Sequence, residues 1–508
     1  MNPHFQRDAK WDAQLPSRTF ARVDHVVPPE PGSSTVLWAL DAIDADWLTY
    51  VGQSDPRFNL DDPDGVTAAW LMSGSGGRGV GQQQSPFEKA PLYRIEIDFP
   101  LGSTPLGLPV APDYQDVGSA QGGLGALERA WFELRVSRDA NGGSAALVYP
   151  GLFAQPVSAY VTGKMPSVQQ GRALSGIFSL GNLPTISTAQ LAQRLATSGA
   201  DYLSAYDVGQ GNCNALLQAS RVNALPSMYY DLGAGVYRNQ HTTPSPLVFC
   251  FTRSPPIVLS HWDADHWAGA YANSVSGTYP ALAQTWYAPL QSPGPVHIAF
   301  AHDVVAHGGV IYTYSPAPTT VGAVPLSLAR QLRFAVGTGS DRNNTGIVLA
   351  IEDIGLTPPR SWLLTGDCDY TFFVPHLAPL PPVALVVPHH GATLSPRSLA
   401  PAPVTPSFYR RIIYSFGAGN LHGKTNAQHP TPAGVQLHVG AGWQHGAWSP
   451  FAPGSRIAGA DVLETEIHGS AGVGAAQLGG CVVEWSIKPP IIPPPCGLRL
   501  CSTAVTRS

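Results

Sequence analysis

Short apolar runs recur between roughly residues 200 and 440 of this 508-residue chain, and each leads into a side chain that can bind a cation or carry a proton. Residues 257–260 lead into His261, Asp263, Asp265 and His266, and residues 228–230 end at Asp231. Residues 361–366 end at Asp367, residues 383–388 at His389 and His390, and residues 411–416 lead on toward Asn420 and His429. Runs this short, without helical periodicity, read as buried strands. Strands that each deliver a polar residue at the C-terminal end can pool those residues only where their ends share one edge of a layered structure. The pattern constrains the fold to an α/β architecture with one site collected from several strands.

The densest strand end is the first. His261, Asp263, Asp265 and His266 place four metal-competent side chains within six positions. Neutral imidazole and ionised carboxylate suit Zn²⁺, Mn²⁺ or Fe²⁺. A single histidine in a polar turn is usually incidental, but four ligand types directly after a strand are not. Asp367, His389 and His390 gain weight as site residues by following it.

Composition narrows the classes. Charged residues are 12% of the chain, about half the usual share. The 53 glycines and 49 prolines favour strands, turns and long loops over helices. A net charge of -5 gives no global positive field to gather nucleic acid. Cys213, Cys250, Cys368, Cys481, Cys496 and Cys501 form no CxxC pattern and read as free thiols of a reducing compartment. The N-terminus has no apolar stretch of secretory type, and no run is long enough to span a membrane. The expectation is a cytoplasmic protein without a membrane segment.

Residues 1–195 read as a mostly β N-terminal domain, with strand-like alternation at residues 93–99 and 131–136. Residues 38–47 read as a short helix, residues 73–81 and 118–125 as Gly-rich loops, and Asp61, Asp62 and Asp64 as a solvated turn. A protein partner could dock on this region. Residues 187–198 read as a helix, with Leu191 and Leu195 one turn apart. Asp207 opens a Gly-rich turn between two strands, without the lysine of a phosphate-binding P-loop. Residues 271–330 read as an insertion, with His297, His302 and His307 in its loops; their spacing of five fits neither helix nor strand. Residues 431–438 can start a helix. Residues 196–487 form the chemical domain, and 488–508 a Pro-rich tail.

Five motifs in this order carry a resemblance: Asp207-Val-Gly-Gln-Gly211, His261-x-Asp263-x-Asp265-His266, Thr365-Gly-Asp367, His389-His390-Gly391 and His429-Pro430. Together they resemble the metallo-β-lactamase fold, and within it the hydrolase domain of the competence protein ComEC. The resemblance covers about residues 200–440, and nothing before residue 195 belongs to it. It implies an αββα sandwich holding two divalent cations, Zn²⁺ or Mn²⁺, at one edge of two packed sheets. His261 and Asp263 would bind the first cation, Asp265 and His266 the second, and Asp367 would bridge both. A histidine of the His389–His390 pair would complete the second site, and Asp231 would orient a ligand histidine. Asp207, Asn212, Asn344, Asn420 and Lys424 would line the substrate cleft. Many members of the wider fold have His where Asp263 stands; the ComEC-like branch has Asp. The family's Asn four residues before the His of His429-Pro430 is replaced by Thr425, which leaves the roles of Asn420 and Lys424 open.

The expected activity is hydrolysis by a metal-activated water, with catalysis depending on Asp265 and on His429 as proton donor. The branch resemblance points to a phosphodiester, as a phosphodiesterase or nuclease. A small nucleotide, ester, lactone or amide could be cleaved on the same metal core. A catalytically silent binding or regulatory module is the alternative of another class, and every expected ligand position being occupied counts against it. An open basic groove would favour a polymer, a closed pocket a small molecule.

Overall fold

The computed structural model describes residues 15–27, 34–75, 85–108, 123–219, 224–245, 247, 249–272, 278–407, 409–421, 428–450, 460–465, 480–486 and 506–507. Lys424, Cys496, Cys501, most of the two Gly-rich segments of the N-terminal region and nearly all of the Pro-rich tail lie outside these residues.

Six strands close into a barrel: β1 (Arg18–Val27), β2 (Thr35–Asp44), β3 (Leu92–Pro100), β4 (Trp131–Ser137), β5 (Ser144–Tyr149) and β6 (Val157–Lys164), in the order β1-β2-β3-β5-β6-β4. Alternation builds it. Trp38, Leu40 and Ala42 of β2 and Tyr93, Ile95, Ile97 and Phe99 of β3 fill the interior. The helix expected over residues 38–47 is therefore a strand for most of its length. The period-two face of Trp38, Leu40 and Ala42 outweighs local helix propensity, and the helix starts only at Ala45, capped by Asp44.

The outward residues of β1–β3 are not solvated. Arg22, Asp24, Asp41, Arg94 and Glu96 are all buried against the rest of the chain. The outer barrel residues Phe20, Ile43, Leu92, Trp131 and Tyr149 join one apolar core with Trp267, Trp286 and Phe300.

Two further sheets follow. The first contains β7 (Thr185–Ile186), β8 (Tyr202–Tyr206), β9 (Asn214–Ala219), β10 (Ala224–Tyr230), β11 (Ile257–Val258), β12 (Thr285–Pro289) and β13 (Val310–Tyr314). The second runs in chain order through β14 (Gly322–Pro325), β15 (Arg330–Val336), β16 (Ile347–Asp353), β17 (Arg360–Leu364), β18 (Pro382–Val386), β19 (Arg411–Tyr414) and β20 (Val462–Glu464). β21 (Gly480–Val483) returns to pair with β8, and β22 (Thr506–Arg507) adds to its edge, giving the order β22-β21-β8-β9-β10-β11-β12-β13-β7.

β10 to β13 run parallel, as do β17 to β20, so the C-terminal ends of the chemistry-bearing strands point the same way within each sheet. One face of each sheet enters a shared core, with Leu203, Met228, Tyr230 and Val258 on one side and Leu332, Leu349, Trp362 and Ile413 on the other. The opposite face of the first sheet packs on the helix Pro295–Ala306. That of the second packs on short helices around Phe373, Leu377 and Leu437. The fold is mixed α/β.

Residues 271–330 are not a loop insertion. They supply β12 and β13, next to the β7 edge of the first sheet, and the helix between them. His297 and His302 lie on that helix and His307 caps it, each meeting a different neighbour, which is why their spacing shows no period. β7, which precedes residue 195, is an edge strand of the same sheet, so the sheet begins before the expected boundary. The helix Thr188–Leu195 forms as its sequence predicts, with Ser187 and Gln190 in a reciprocal capping box. Thr431 caps the helix Pro432–Gly440. Cys213, Cys250, Cys368 and Cys481 are free and buried. Among the described residues, no helix is long and apolar enough to cross a membrane.

Candidate metal centre

The site is built from strand ends. Asp231 directly follows β10; its backbone is left-handed (φ 60°), and its carboxylate collects four donors. Ser260 N donates to Oδ1 at 2.6 Å; Asn212 Nδ2 (3.0 Å), Ser260 Oγ (2.9 Å) and His266 Nδ1 (2.8 Å) meet Oδ2. Ser260 Oγ also lies 3.0 Å from His261 Nδ1. Both rings are thereby fixed through Nδ1, leaving Nε2 of each as the inward atom. His390 is fixed in the same way: its Nδ1 donates to the Ser415 carbonyl at 2.7 Å. A ring whose Nδ1 carries the proton presents a lone pair at Nε2, the form that binds a metal.

The inward atoms converge. His266 Nε2 is 3.1 Å from Asp367 Oδ1, and His261 Nε2 is 3.8 Å from Asp367 Oδ2. His261 Nε2 is 3.5 Å from Asp263 Oδ2, and His390 Nε2 is 3.2 Å from Asp265 Oδ2. Two sets of side chains, His261–His266–Asp367 and Asp265–His266–His390, bring ligand atoms within 4.8 Å of one another and could hold a metal ion. His261 Nε2, His266 Nε2, His390 Nε2 and Asp367 Oδ1 are buried and form no hydrogen bond. Buried polar atoms are normally satisfied, so four unpartnered atoms around one point fit a divalent cation.

Electrostatics agree. Burial opposes ionisation of Asp367, but His266, His389 and His261 together hold its carboxyl well below the usual range. Burial likewise opposes a charged His266, yet Asp367, Asp231 and Asp265 raise its pKa well above the usual 6.5. Protons here stand in for cations: the carboxylates attract positive charge whichever form it takes.

Of the adjacent pair, His390 is the better ligand. His389 is driven down to about 4 by burial, its Nε2 lies 3.7 Å from Asp367 Oδ2, and its ring meets that of His429 edge-on at 5.4 Å. Both residues have positive φ, 50° and 53°. Such backbone strain in non-glycine residues gathers at functional sites.

The expected cleft residues are placed differently. Asn212 is spent on Asp231 and on Asn214 Nδ2. Asn344 bonds the Asp341 carboxylate and the backbone N–H of Asp369, tying two loops together. Asn420 clamps His429, accepting from its N–H at 2.8 Å and donating to its carbonyl at 2.7 Å. Asp207 is buried and accepts the Gly209 N–H inside its own turn. None of the four is among the residues that line the cavity; their bonds tie together the turns and loops around it. The turn puts Gln210 in the cavity wall instead.

A cavity of about 90 Å³ lies beside the carboxylates. One wall is Asp263, Asp265, Asp367, His389 and His390; the other is the barrel, with His25, Leu37, Ala39, Arg94 and Glu96. None of these barrel residues was legible as functional. Arg342 was missed too. Its Nη2 bridges Asp24 Oδ1 (2.7 Å) and Asp263 Oδ1 (3.1 Å), linking the barrel to the site. Burial opposes ionisation of Asp263, and Arg342 with His261 overrides it.

Asp24, Asp41 and His297 form a third buried group. Trp267 Nε1 donates to His297 Nδ1 at 3.0 Å, so the ring proton sits on Nε2, facing Asp24 Oδ1 at 2.6 Å and Asp41 Oδ2 at 3.0 Å. That histidine is a donor, and with Arg94 and Arg342 the group is a charge network. Comparison with known families, curated proteins and solved structures finds no match for the chain.

Proposed function

We propose that the protein is a metal-dependent hydrolase of phosphodiesters, with a metallo-β-lactamase αββα sandwich carrying a two-cation centre. The observation that carries this reading is the set of inward Nε2 atoms of His261, His266 and His390, each held through Nδ1 and facing Asp367 or Asp265. His261 and Asp263 would hold one Zn²⁺ or Mn²⁺, Asp265, His266 and His390 the other, and Asp367 both.

Two such cations supply an activated water and neutralise charge on the reacting oxygens. The chain's own residues do the rest. Asp231 and Ser260 keep His261 and His266 in the ligand tautomer. Asn420 fixes the backbone of His429, the candidate donor of a proton to the leaving group.

The cavity favours a small phosphoester over a long nucleic acid. Its volume is about 90 Å³, and its two arginines are already paired: Arg94 with Asp24, and Arg238 with Glu96 at 3.0 Å. Their balanced charges give little attraction for a polyanion. The test is hydrolysis of bis(p-nitrophenyl) phosphate by the Mn²⁺- or Zn²⁺-loaded chain. The parent turns over, and Asp265→Ala falls by at least about a hundredfold, as expected when a site loses one of two cations. Equal rates in both, or no rate in either, would remove the proposal.

A further inference from the structure

The barrel enters the site through one irregularity. β1 and β2 pair in register up to Val23 opposite Leu40, and the register then shifts so that His25 faces Ala39. Interior residues of β1 are Ala21, Val23 and Val26. The step from 23 to 26 leaves two successive residues, Asp24 and His25, on the outer face. This is a β-bulge, a device that re-aims side chains and recurs beside active sites.

The two residues it turns outward have different fates. Asp24 is 3% exposed and anchors the bulge. It pairs with Arg342, with Arg94 and with His297 Nε2. His25 is half-buried and lines the cavity. Its Nδ1 lies 3.8 Å from Asp263 Oδ2 and its ring meets that of His389 edge-on at 5.7 Å. It forms no hydrogen bond with another described residue. A ring held at a cavity wall by a buried anchor, with only a long 3.8 Å contact from Nδ1 to Asp263, is placed for something that enters the cavity.

We propose that His25 is a substrate-binding residue, donating a hydrogen bond to an anionic oxygen of the phosphoester bound across the centre. The barrel is then one half of the active site. Beside Arg94 and Arg238, whose charges are balanced by Asp24 and Glu96, the imidazoles of His25 and His389 add donors at the cavity wall. The inference rests on the metal-hydrolase reading and adds the side of the cavity from which the substrate is held.

The full-length chain is the material for the test, as parent, His25→Ala and His25→Asn. Arg342 and Asp24 are poor targets, since breaking a buried ion pair unfolds rather than informs. Metal content is measured first. Binding of inorganic phosphate to the Zn²⁺-loaded protein is then titrated, and KM and kcat for bis(p-nitrophenyl) phosphate are measured with Mn²⁺. The expected result is unchanged metal content in all three chains. His25→Ala binds phosphate roughly tenfold or more weakly and raises KM by a similar factor, with kcat much less affected. His25→Asn, whose amide can still donate, recovers part of the loss. If His25→Ala holds its metals and matches the parent in phosphate affinity and KM, the inference fails alone. If the parent takes up no divalent metal, the hydrolase reading fails and the inference with it.

Discussion

At the residue scale, the centre is a balance between carboxylates that resist burial as anions and imidazoles that become their counter-charges. His266 has its pKa raised well above 6.5 by Asp367, Asp231 and Asp265, against burial. Its contribution to stability is complete below the unfolded value of about 6.5 and is lost as pH rises through the higher folded value. Asp367 and Asp263 are held well below 3.8, against burial, by His266 and by Arg342 respectively. Their contribution is present above about 3.8 and is lost as pH falls. Chelator-stripped protein should therefore be most thermostable between about pH 4 and pH 6.5. Added Zn²⁺, which must displace the His266 proton, should move that optimum upward. Melting curves over pH 4 to 9, with and without Zn²⁺, check both halves; a stripped protein with its optimum above pH 8 would contradict the assignment of these charges.

At the scale of elements, glycine decides how the loops meet. The turn after β10 and the loop carrying Asp265 touch backbone to backbone at Gly233. A Cβ there would strike the Asp265 carbonyl and lie 2.7 Å from the Asn212 carbonyl. Gly233→Ala should cost about 1–3 kcal/mol of stability, as overpacking does, and weaken metal binding by displacing Asp265. Thermal melting and a metal titration of the variant measure the two effects; a parent-like metal affinity would mean the loops are not seated as described.

The same scale explains what the sequence could reveal. Strand ends were legible because metal-competent residues follow apolar runs, as at Val386 before His389 and His390. The partners of the amides were not legible, since Asn212, Asn344 and Asn420 look alike in sequence whether they meet a substrate, a side chain or backbone. The barrel's share was invisible. Arg94 and Glu96 alternate with Ile95 and Ile97 as in any solvated strand, and a bulge at Asp24 and His25 has no signature in residue type.

At the scale of the whole molecule, the chain places a barrel and a pair of sheets around one cavity. The two sheets bring His261, Asp263, Asp265, His266, Asp367 and His390 together from segments more than a hundred residues apart. The barrel covers them, and its outer face shares a core with the first sheet. A low charge content suits this plan, because Asp24, Asp41 and Arg94 on the outer face of the barrel are buried against the sheets in a paired network rather than exposed to water. The cavity between the barrel and the sheets has a volume of about 90 Å³.

The most direct test of this account is anomalous diffraction from crystals of the full chain grown with Zn²⁺. It predicts two peaks, about 3.5–4 Å apart, with Asp367 touching both, one beside His261 and Asp263 and the other beside Asp265, His266 and His390. An empty cluster in a folded, zinc-saturated crystal, or zinc bound instead among Asp24, Asp41 and His297, would contradict it.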